Sequence, residues 1–330
     1  MKKALIIFSA LVSIFVLSSC ALDFGGDDRE RVSITHTISK VTITDGNEVT
    51  LKEQVTEDFV VNPKVVAVLT LEVVDIMNAV GLDTFGIELF GLSKTNLPSY
   101  LSEYNDNKYP NVGTLFEVYG DALKAMMPDL IIIGGRSSTL YESLKADYAY
   151  ADVLDVSNSN YDFEVQKSVF ENLGKIFPSA KSTLDSYISQ FEAEFDSIKS
   201  LSNGKDALFL LVNGAAISVF GAGSRYGALY DEFGFEPTDP NVGVTESHGN
   251  IVSYEYVSAQ NPSYIFLMDR GVATGGSAAT DQVVNNALIK ETNAGKDGNI
   301  IILNAYAWYI TAGGVTSTQA MIQDIKQSLS

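Results

Sequence analysis

The stretch PDLIIIGGR, residues 128–136, carries the pattern from which the fold of this chain follows. Its apolar run, Leu130–Ile133, has no polar face, which is typical of a strand buried on both sides in a parallel sheet. A helical pattern over Gly120–Met127 ends before Pro128, because proline cannot continue a helix. Two glycines and an arginine follow the strand. The stretch therefore predicts one helix–strand unit of an α/β sheet.

The same alternation of short apolar runs and helical patterns continues on both sides. Runs that predict further strands lie at residues 60–69, 84–87, 153–156, 207–212, 216–220, 264–268 and 300–303. Residues 163–201 differ, because they show helical periodicity with a break near 177–179 and no strand signal. We therefore predict an α/β fold of two Rossmann-like lobes with mainly parallel sheets, joined by a long backbone helix.

The predicted organisation has five segments. They are a lipoprotein signal peptide (1–19), a lipidated tether with extra N-terminal strands (20–58), an N-terminal lobe (59–162), a linking helix (163–203) and a C-terminal lobe (204–330). The extra strands are predicted because residues 33–49 alternate polar and β-branched side chains.

The amino-acid composition argues against several classes of function. The 330 residues include 22 Lys and Arg against 41 Asp and Glu, a net charge of -19, which argues against nucleic acid because phosphate binding needs clustered cations. Hydrophobic residues make up 46%, enough for a sizeable core. One cysteine permits no intrachain disulfide, and two histidines, His36 and His248, disfavour a zinc site or a catalytic triad.

The N-terminus reads MKKALIIFSALVSIFVLSSC, residues 1–20. Two lysines precede an apolar run that is short for a membrane-spanning helix, and small residues precede Cys20, as in a secretory signal. Because the sole cysteine falls at the cleavage point, we expect a bacterial lipoprotein in which Cys20 is acylated. The protein would then be anchored by lipid at the extracytoplasmic face of the cell membrane. The alternative is an ordinary signal peptide with a chance cysteine.

Three arginines follow strand ends. Arg136 follows 130–133, Arg225 follows 216–220 and a glycine loop, and Arg270 follows 264–268. In open α/β sheets ligands gather beyond the carboxyl ends of the strands, so all three can face one cleft between the lobes. Arginine forks onto anionic oxygens, which suits an anionic ligand. Alternatively, each could be a solvated loop residue or pair with an acid, such as Asp269 beside Arg270.

Six ordered segments then carry a resemblance. They are residues 91–101 (GLSKTNLPSYL), 108–115 (KYPNVGTL), 128–136, 220–227 (FGAGSRYG), 248–249 (HG) and 308–314 (WYITAGG). Together, over roughly residues 60–330, they resemble ferric-siderophore-binding lipoproteins of ABC importers in the helical-backbone class, with the petrobactin and catecholate binders as the nearest subgroup. The resemblance implies a receptor without enzymatic activity or cofactor, whose ligand is a ferric siderophore and whose partner is an ABC permease.

The resemblance also implies roles for single residues. Arg136, Arg225 and Arg270 match the arginines that bind the anionic ligand. His248 and Tyr309, or less well Tyr306, match positions that complete the coordination of iron when the siderophore leaves two sites open; imidazole and phenolate suit ferric iron. Trp308 is expected to line the cleft and stack on catechol rings.

Two acidic residues match positions that dock onto the permease. They are Asp121 in the first lobe and Glu255 in the second. Both lie near predicted helix starts, where the helix dipole favours acids in any case. We expect the receptor itself to be a monomer.

Rival interpretations remain open from the sequence. The same fold could hold haem or a corrinoid, although three cationic strand ends argue for a more anionic ligand. A surface enzyme could use the glycine loop 221–227 for a nucleotide, but its spacing is G-x-G-x-x-x-G rather than G-x-G-x-x-G and no catalytic constellation accompanies it. In a purely structural lipoprotein, the arginines would be incidental.

Overall fold

The computed structural model describes residues 28–44, 47–114, 117–242 and 249–329. The first element is a long antiparallel hairpin of β1 (Arg31–Thr44) and β2 (Asn47–Val60). Near its base, Ile34, Ile38 and Phe59 are buried, whereas the far half is exposed. The alternation over residues 33–49 predicted one or two strands, and the structure has two, the second of which continues to Val60. One face of their base covers the first lobe.

The first lobe contains a parallel sheet with the strand order β5-β4-β3-β6-β7. Its strands are β3 (Val65–Val68), β4 (Leu89–Ser93), β5 (Asn111–Gly113), β6 (Leu130–Ile133) and β7 (Asp152–Asp155). Its helices are α1 (Leu71–Val80), α2 (Gly120–Met126) and α3 (Tyr141–Asp147), with 3-10 turns at Leu82–Phe85, Ser99–Asn105 and Gly135–Leu140. Every residue of β6 is buried, as its apolar run predicts.

The strand predicted at residues 84–87 is wrong. The chain forms the 3-10 turn Leu82–Phe85 there, and Gly86 ends it with a left-handed φ of 63°. The strand itself begins three residues later, at Leu89. A short apolar run does not distinguish a buried turn from a strand, because both bury apolar side chains.

Two helices connect the lobes, α4 (Phe163–Ile176) and α5 (Lys181–Ser202). The predicted break is confirmed, because α4 ends at Ile176 and Phe177 caps it just before Pro178. The rings of Phe163 and Phe195 lie 4.9 Å apart, and Lys167 pairs with Glu192 at 2.8 Å, so the helices run antiparallel. The longer helix, α5, spans about 33 Å at 1.5 Å per residue.

The second lobe contains a mixed sheet with the order β11-β9-β8-β12-β13, and β10 pairs with β8. Its strands are β8 (Asp206–Asn213), β9 (Ala216–Phe220), β10 (Glu236–Pro237), β11 (Asn250–Val252), β12 (Tyr264–Asp269) and β13 (Ile300–Ile302). Its helices are α6 (Ala228–Asp231), α7 (Tyr254–Gln260), α8 (Arg270–Ala273), α9 (Thr280–Val284), α10 (Ala287–Lys290), α11 (Asn293–Asp297), α12 (Ala305–Tyr309) and α13 (Val315–Ser328).

The pairing of β8 with β9 is antiparallel, and so is that of β9 with β11. Only two residues connect β8 to β9, and a connection this short can only make a hairpin. Gly214 in this turn has a φ of 61°. The remaining pairings in this sheet are parallel, so the mixed α/β architecture with two lobes is confirmed. Within the described residues, no helix is long and apolar enough to cross a membrane.

Candidate functional site

A cavity of about 1020 Å³ lies between the lobes. Its first-lobe lining follows the carboxyl ends of β3, β6 and β7, at residues 69–72, 134–136 and 158–161. Its second-lobe lining includes Arg225, Arg270 and residues 308–310. Ligand pockets of proteins span roughly 300–1,000 Å³, so this cavity can hold a large ligand.

The three arginines predicted at strand ends meet at one side chain, Tyr309. Arg270 Nε donates a hydrogen bond to the Tyr309 hydroxyl at 3.1 Å. Arg225 Nη2 donates to the Tyr309 carbonyl at 3.2 Å, and the Arg225 guanidinium lies 4.4 Å from the centre of the ring. Arg136, from the other lobe, lies close enough to the Tyr309 hydroxyl to lower the pKa of that phenol. The fold therefore gathers three positive charges at one place in the cavity.

Local structure presents each arginine. Arg136 lies in the turn after β6, where Gly135 has a φ of 52°. Arg225 lies in the loop after β9. That loop is held by Ser224 Oγ, which donates to the Gly221 carbonyl at 2.6 Å, and its residue Gly227 has no room for a Cβ, which would lie 2.6 Å from the Gly223 nitrogen. Glycine is therefore required at position 227 for close backbone packing.

Asp269 does not neutralise its neighbour Arg270. The Asp269 carboxylate accepts hydrogen bonds from the backbone amides of Val272, Ala279 and Thr280. Arg270 instead reaches Tyr309 and the amide oxygen of Asn213 at 3.3 Å. The Arg270 guanidinium therefore stays directed toward the cavity.

The electrostatics of this cluster act on Tyr309. Burial alone would raise the pKa of its phenol, but hydrogen bonds from Arg270 and Arg136, together with the charge of Arg225, outweigh burial and lower it from the ordinary value of 10. The positive cluster thus favours the phenolate, which is the form that binds ferric iron.

The surroundings of Trp308 differ from those expected of a side chain that stacks on catechol rings. Its side chain is 3% exposed and packs between Phe209 and Phe233, with ring centres 5.7 and 5.8 Å away. Its indole nitrogen donates to Asp324 Oδ2 at 3.0 Å. Trp308 borders the cavity but offers little surface for stacking on a ligand, because a hydrophobic pocket beneath the site holds the ring.

Several predicted residues lie elsewhere. His248, the other predicted iron ligand, and Cys20 with the signal peptide lie outside the described residues. Tyr306 is in the first turn of α12 and does not line the cavity. Within the described ranges, no group of three or more His, Cys, Asp or Glu side chains could hold a metal ion.

The two acids predicted to dock onto the permease are both exposed. Asp121 lies in the first turn of α2, and Glu255 in the first turn of α7. Hydrogen bonds from its own amide and from Ser253 lower the pKa of Glu255. Both carboxylates are therefore accessible, one on each lobe.

Two features of the cavity were not anticipated. Glu72 follows β3 and Asn158–Asn160 follow β7, and both line the cavity. Asn160 Nδ2 also donates to the Gly223 carbonyl of the other lobe at 3.0 Å. The rule that ligands gather beyond strand ends would have found both segments, had it been applied to their polar residues as well as to the arginines.

Burial raises the pKa of Glu72 to about 7. Hydrogen bonds from Thr70 and from its own amide offset part of this effect, and the nearby Asp155 adds to it. Glu72 is thus a carboxyl group that is partly protonated near neutral pH, within a cavity that otherwise carries positive charge.

Comparisons with known proteins agree with this architecture. Residues 66–307 match the family model described as periplasmic binding protein. The petrobactin-binding protein YclQ of Bacillus subtilis is 36% identical over 336 residues, covering 100% of this chain and 99% of YclQ. Its crystal structure superposes with a TM-score of 0.76, at 34% identity, over 89% of this chain and 99% of that one.

Two further relatives are also named for the ligand that they bind. The ferric-anguibactin-binding protein FatB of Vibrio anguillarum is 28% identical over 270 residues, 80% of this chain and 81% of FatB. The periplasmic catecholate-siderophore binding protein VctP of Vibrio cholerae has a TM-score of 0.74 and 33% identity, over 82% of this chain and 96% of that one. With the family model matching most of its length and a full-length relative above 30% identity, this chain belongs to the periplasmic binding protein family.

Proposed function

We propose that this protein captures an anionic ferric siderophore, of catecholate type, in the cavity between its lobes and delivers it to an ABC permease for iron uptake. The observation that carries the proposal is the convergence of Arg136, Arg225 and Arg270 on Tyr309. Guanidinium groups bind anionic oxygens in charge-assisted, forked geometry, and a ferric catecholate presents such oxygens around its metal. The names of YclQ, FatB and VctP support this ligand class.

Within this proposal the receptor performs no covalent chemistry. Arg136 from one lobe and Arg225 and Arg270 from the other bind the ligand from both sides. Tyr309 and His248 are the candidate protein ligands of the iron when the siderophore leaves two positions open. Haem or a corrinoid fits less well, because the arginine cluster is more positive than a weakly anionic ligand requires.

The remaining parts of the proposal concern location and delivery. Residues 1–19 act as a signal peptide, residues 20–58 as tether and hairpin, and residues 59–162 and 204–330 as lobes joined by 163–203. Acylation of Cys20 anchors the monomeric protein at the extracytoplasmic face of the membrane, which agrees with membership of the periplasmic binding family. Asp121 and Glu255 dock onto the permease.

A titration that follows the fluorescence of Trp308 tests the ligand class. Trp308 is the sole tryptophan and borders the cavity, so a coloured ligand should quench it. We expect quenching that saturates with ferric catecholates at concentrations well below those needed for ferric hydroxamates, haem or cobalamin. Equal quenching by all four, or tighter binding of haem or cobalamin, would contradict the proposal.

A further inference from the structure

Glu72, the second residue of α1, is the only carboxylate that lines the cavity among the residues that the structure describes. The other charged lining residues are Arg136, Arg225 and Arg270. Glu72 forms no ion pair with any described residue, and only Thr70 and its own backbone amide partly stabilise its ionised form. A carboxylate without a cationic partner stands out in a cavity suited to anions, because it repels them when ionised.

The backbone brings Glu72 to the boundary between the lobes. A Cβ at Gly134 would lie 2.8 Å from Glu72 Oε1, so the first-lobe turn that carries Arg136 approaches the carboxylate closely. A Cβ at Gly313 of the second lobe would lie 3.9 Å from Glu72 Cβ. Glu72 is therefore a half-buried residue where the two lobes meet, and its carboxyl group lies beside the turn that leads to Arg136.

The ionisable groups around Glu72 do not neutralise it. Asp155 faces it from the end of β7 and has the same sign of charge. Asp75, one turn further along α1, is engaged with the amides of Thr316 and Ser317. Arg136 lies beyond Gly134, and Tyr309 on α12 lines the same cavity. This setting disfavours the ionised form, which agrees with the pKa of about 7 caused mainly by burial.

We propose that Glu72 is a specificity-determining residue of this cavity, which takes up one proton from solvent when an anionic ferric complex binds and donates that proton in a hydrogen bond to the ligand. The proposal rests on the function proposed above. The ionised carboxylate would repel the complex, whereas the neutral acid can donate to a ligand oxygen. Glu72 thereby favours ligands that present an acceptor oxygen to its carboxyl group. Its ionised form weakens the binding of these ligands.

The sign of the pH dependence follows from linkage. If the complex contains protonated Glu72 and the free protein has a pKa of about 7 there, ligand binding adds a proton above that pH. Affinity for an anionic complex should therefore fall by up to about tenfold per pH unit above neutrality, whereas below neutrality Glu72 should add no pH dependence. A ligand that placed an ammonium group against Glu72 would show the opposite sign.

The test compares the full-length protein, purified in detergent, with Glu72→Gln and with the control Glu171→Gln. Glutamine keeps the shape and cannot ionise, and Glu171 is an exposed acid on α4 that does not line the cavity. The probe is ferric enterobactin, a hexadentate tris-catecholate complex, titrated between about pH 6 and about pH 9. We expect wild type and Glu171→Gln to lose affinity above neutrality. Glu72→Gln should lose less and bind about tenfold more tightly than wild type near pH 8.

Calorimetry in two buffers of different ionisation enthalpy should show that wild type takes up nearly one more proton than Glu72→Gln near pH 8. Parallel pH profiles of the two proteins, or weaker binding of Glu72→Gln at every pH, would overturn the inference while leaving the proposed function standing. Absence of binding by all three proteins would overturn both.

A second measurement does not depend on the variant. The carboxyl carbon of Glu72, followed by NMR in isotopically labelled wild-type protein with the diamagnetic gallium(III) enterobactin complex, should titrate near neutrality in the free protein. It should stay protonated to higher pH in the complex. An ionised Glu72 in the complex at neutral pH would overturn the inference.

Discussion

The carboxylate of Asp75 on α1, in the first lobe, accepts a hydrogen bond from the backbone amide of Ser317 on α13, in the second lobe, at 2.9 Å. It also accepts one from Thr316 at 3.1 Å, and the Asp75 side chain is fully buried. A carboxylate at the N-terminus of a helix is favoured by the unpaired amides and by the helix dipole. This contact joins α1 and α13, which also contribute Glu72 and Met321 to the lining of the cavity.

We expect Asp75→Ala to lower the free energy of unfolding by about 1.5–3 kcal/mol, because it leaves two buried amides unpaired at the lobe boundary. Chemical denaturation checks the prediction. Asp185→Ala, which removes an exposed partner of Lys181, is the control and should cost less than about 1 kcal/mol. Equal costs for the two variants would argue against a structural role of the bond between the lobes.

Replacing Arg136 or Arg225 by Ala should weaken the binding of a ferric catecholate about 10- to 100-fold while the protein stays folded. Each charge-assisted contact is worth about 1.5–3 kcal/mol. Arg225→Lys should recover only part of the affinity, because an ammonium group cannot fork onto two oxygens. Fluorescence titration measures this, with Lys181→Ala, outside the cavity, as the control for lost positive charge. If the substitutions of Arg136, Arg225 and Lys181 all had small and equal effects on affinity, the assignment of the cavity as the ligand site would be contradicted.

The lowered pKa of Tyr309 should depend on Arg270. In Arg270→Ala the phenol loses a hydrogen bond at 3.1 Å and a nearby positive charge, while the burial that raises its pKa remains. We therefore expect the pKa of Tyr309 to rise, measured by NMR of the tyrosine ζ carbon across the alkaline range. A pKa that does not move would show that Arg270 is not the group that stabilises the phenolate.

Stability should fall in mildly acidic solution partly because of His36. Burial lowers the pKa of this imidazole below its usual 6.5, although the charge of Glu57 opposes the effect. The unfolded chain then binds more protons than the folded chain in the window just below 6.5, so stability is lost as the pH falls through that window.

His36→Gln removes this titration. It can keep an acceptor for the Asp155 amide, which donates to His36 Nδ1 at 3.2 Å. Denaturation midpoints measured across this pH range should depend less on pH in the variant than in wild type. The same pH dependence in both proteins would assign the acid sensitivity to other groups.

Charge reversal at Asp121 and Glu255, each to Lys, should reduce uptake of iron by cells while leaving the affinity for the ferric catecholate unchanged. Both side chains are exposed on helix starts, away from the cavity lining. Uptake of a labelled ferric siderophore, compared with in vitro binding, separates delivery from capture. Glu171→Lys is a matched control. Unchanged uptake in the double variant would contradict the docking role.

The sequence by itself determined the long apolar strands of both sheets and the side chains that follow them, although it predicted a strand at 84–87 where a 3-10 turn forms. As a strand, the apolar run Leu130–Ile133 can pair its backbone hydrogen-bonding groups and bury all its side chains only inside a sheet that is covered on both faces. Strand β9 runs antiparallel to β8, so the loop after β9, and not the direction of the strand, brings Arg225 to Tyr309. The positions of Arg136, Arg225 and Arg270 after strand ends nevertheless predicted one cationic site. These inferences need only local pattern and a general rule of topology.

Only the tertiary structure decided what surrounds each side chain. Trp308 and Glu72 show this most clearly. The Trp308 indole lies in the core beside the cavity and donates a hydrogen bond to Asp324. The local sequence pattern does not distinguish such an indole from one that stacks on a ligand. Likewise, an acid in the first turn of α1 has the pattern of an ordinary helix start, and its raised pKa arises from burial and from Asp155, more than eighty positions away in the chain. Desolvation and charge coupling depend on distances through space, which a local sequence pattern does not contain.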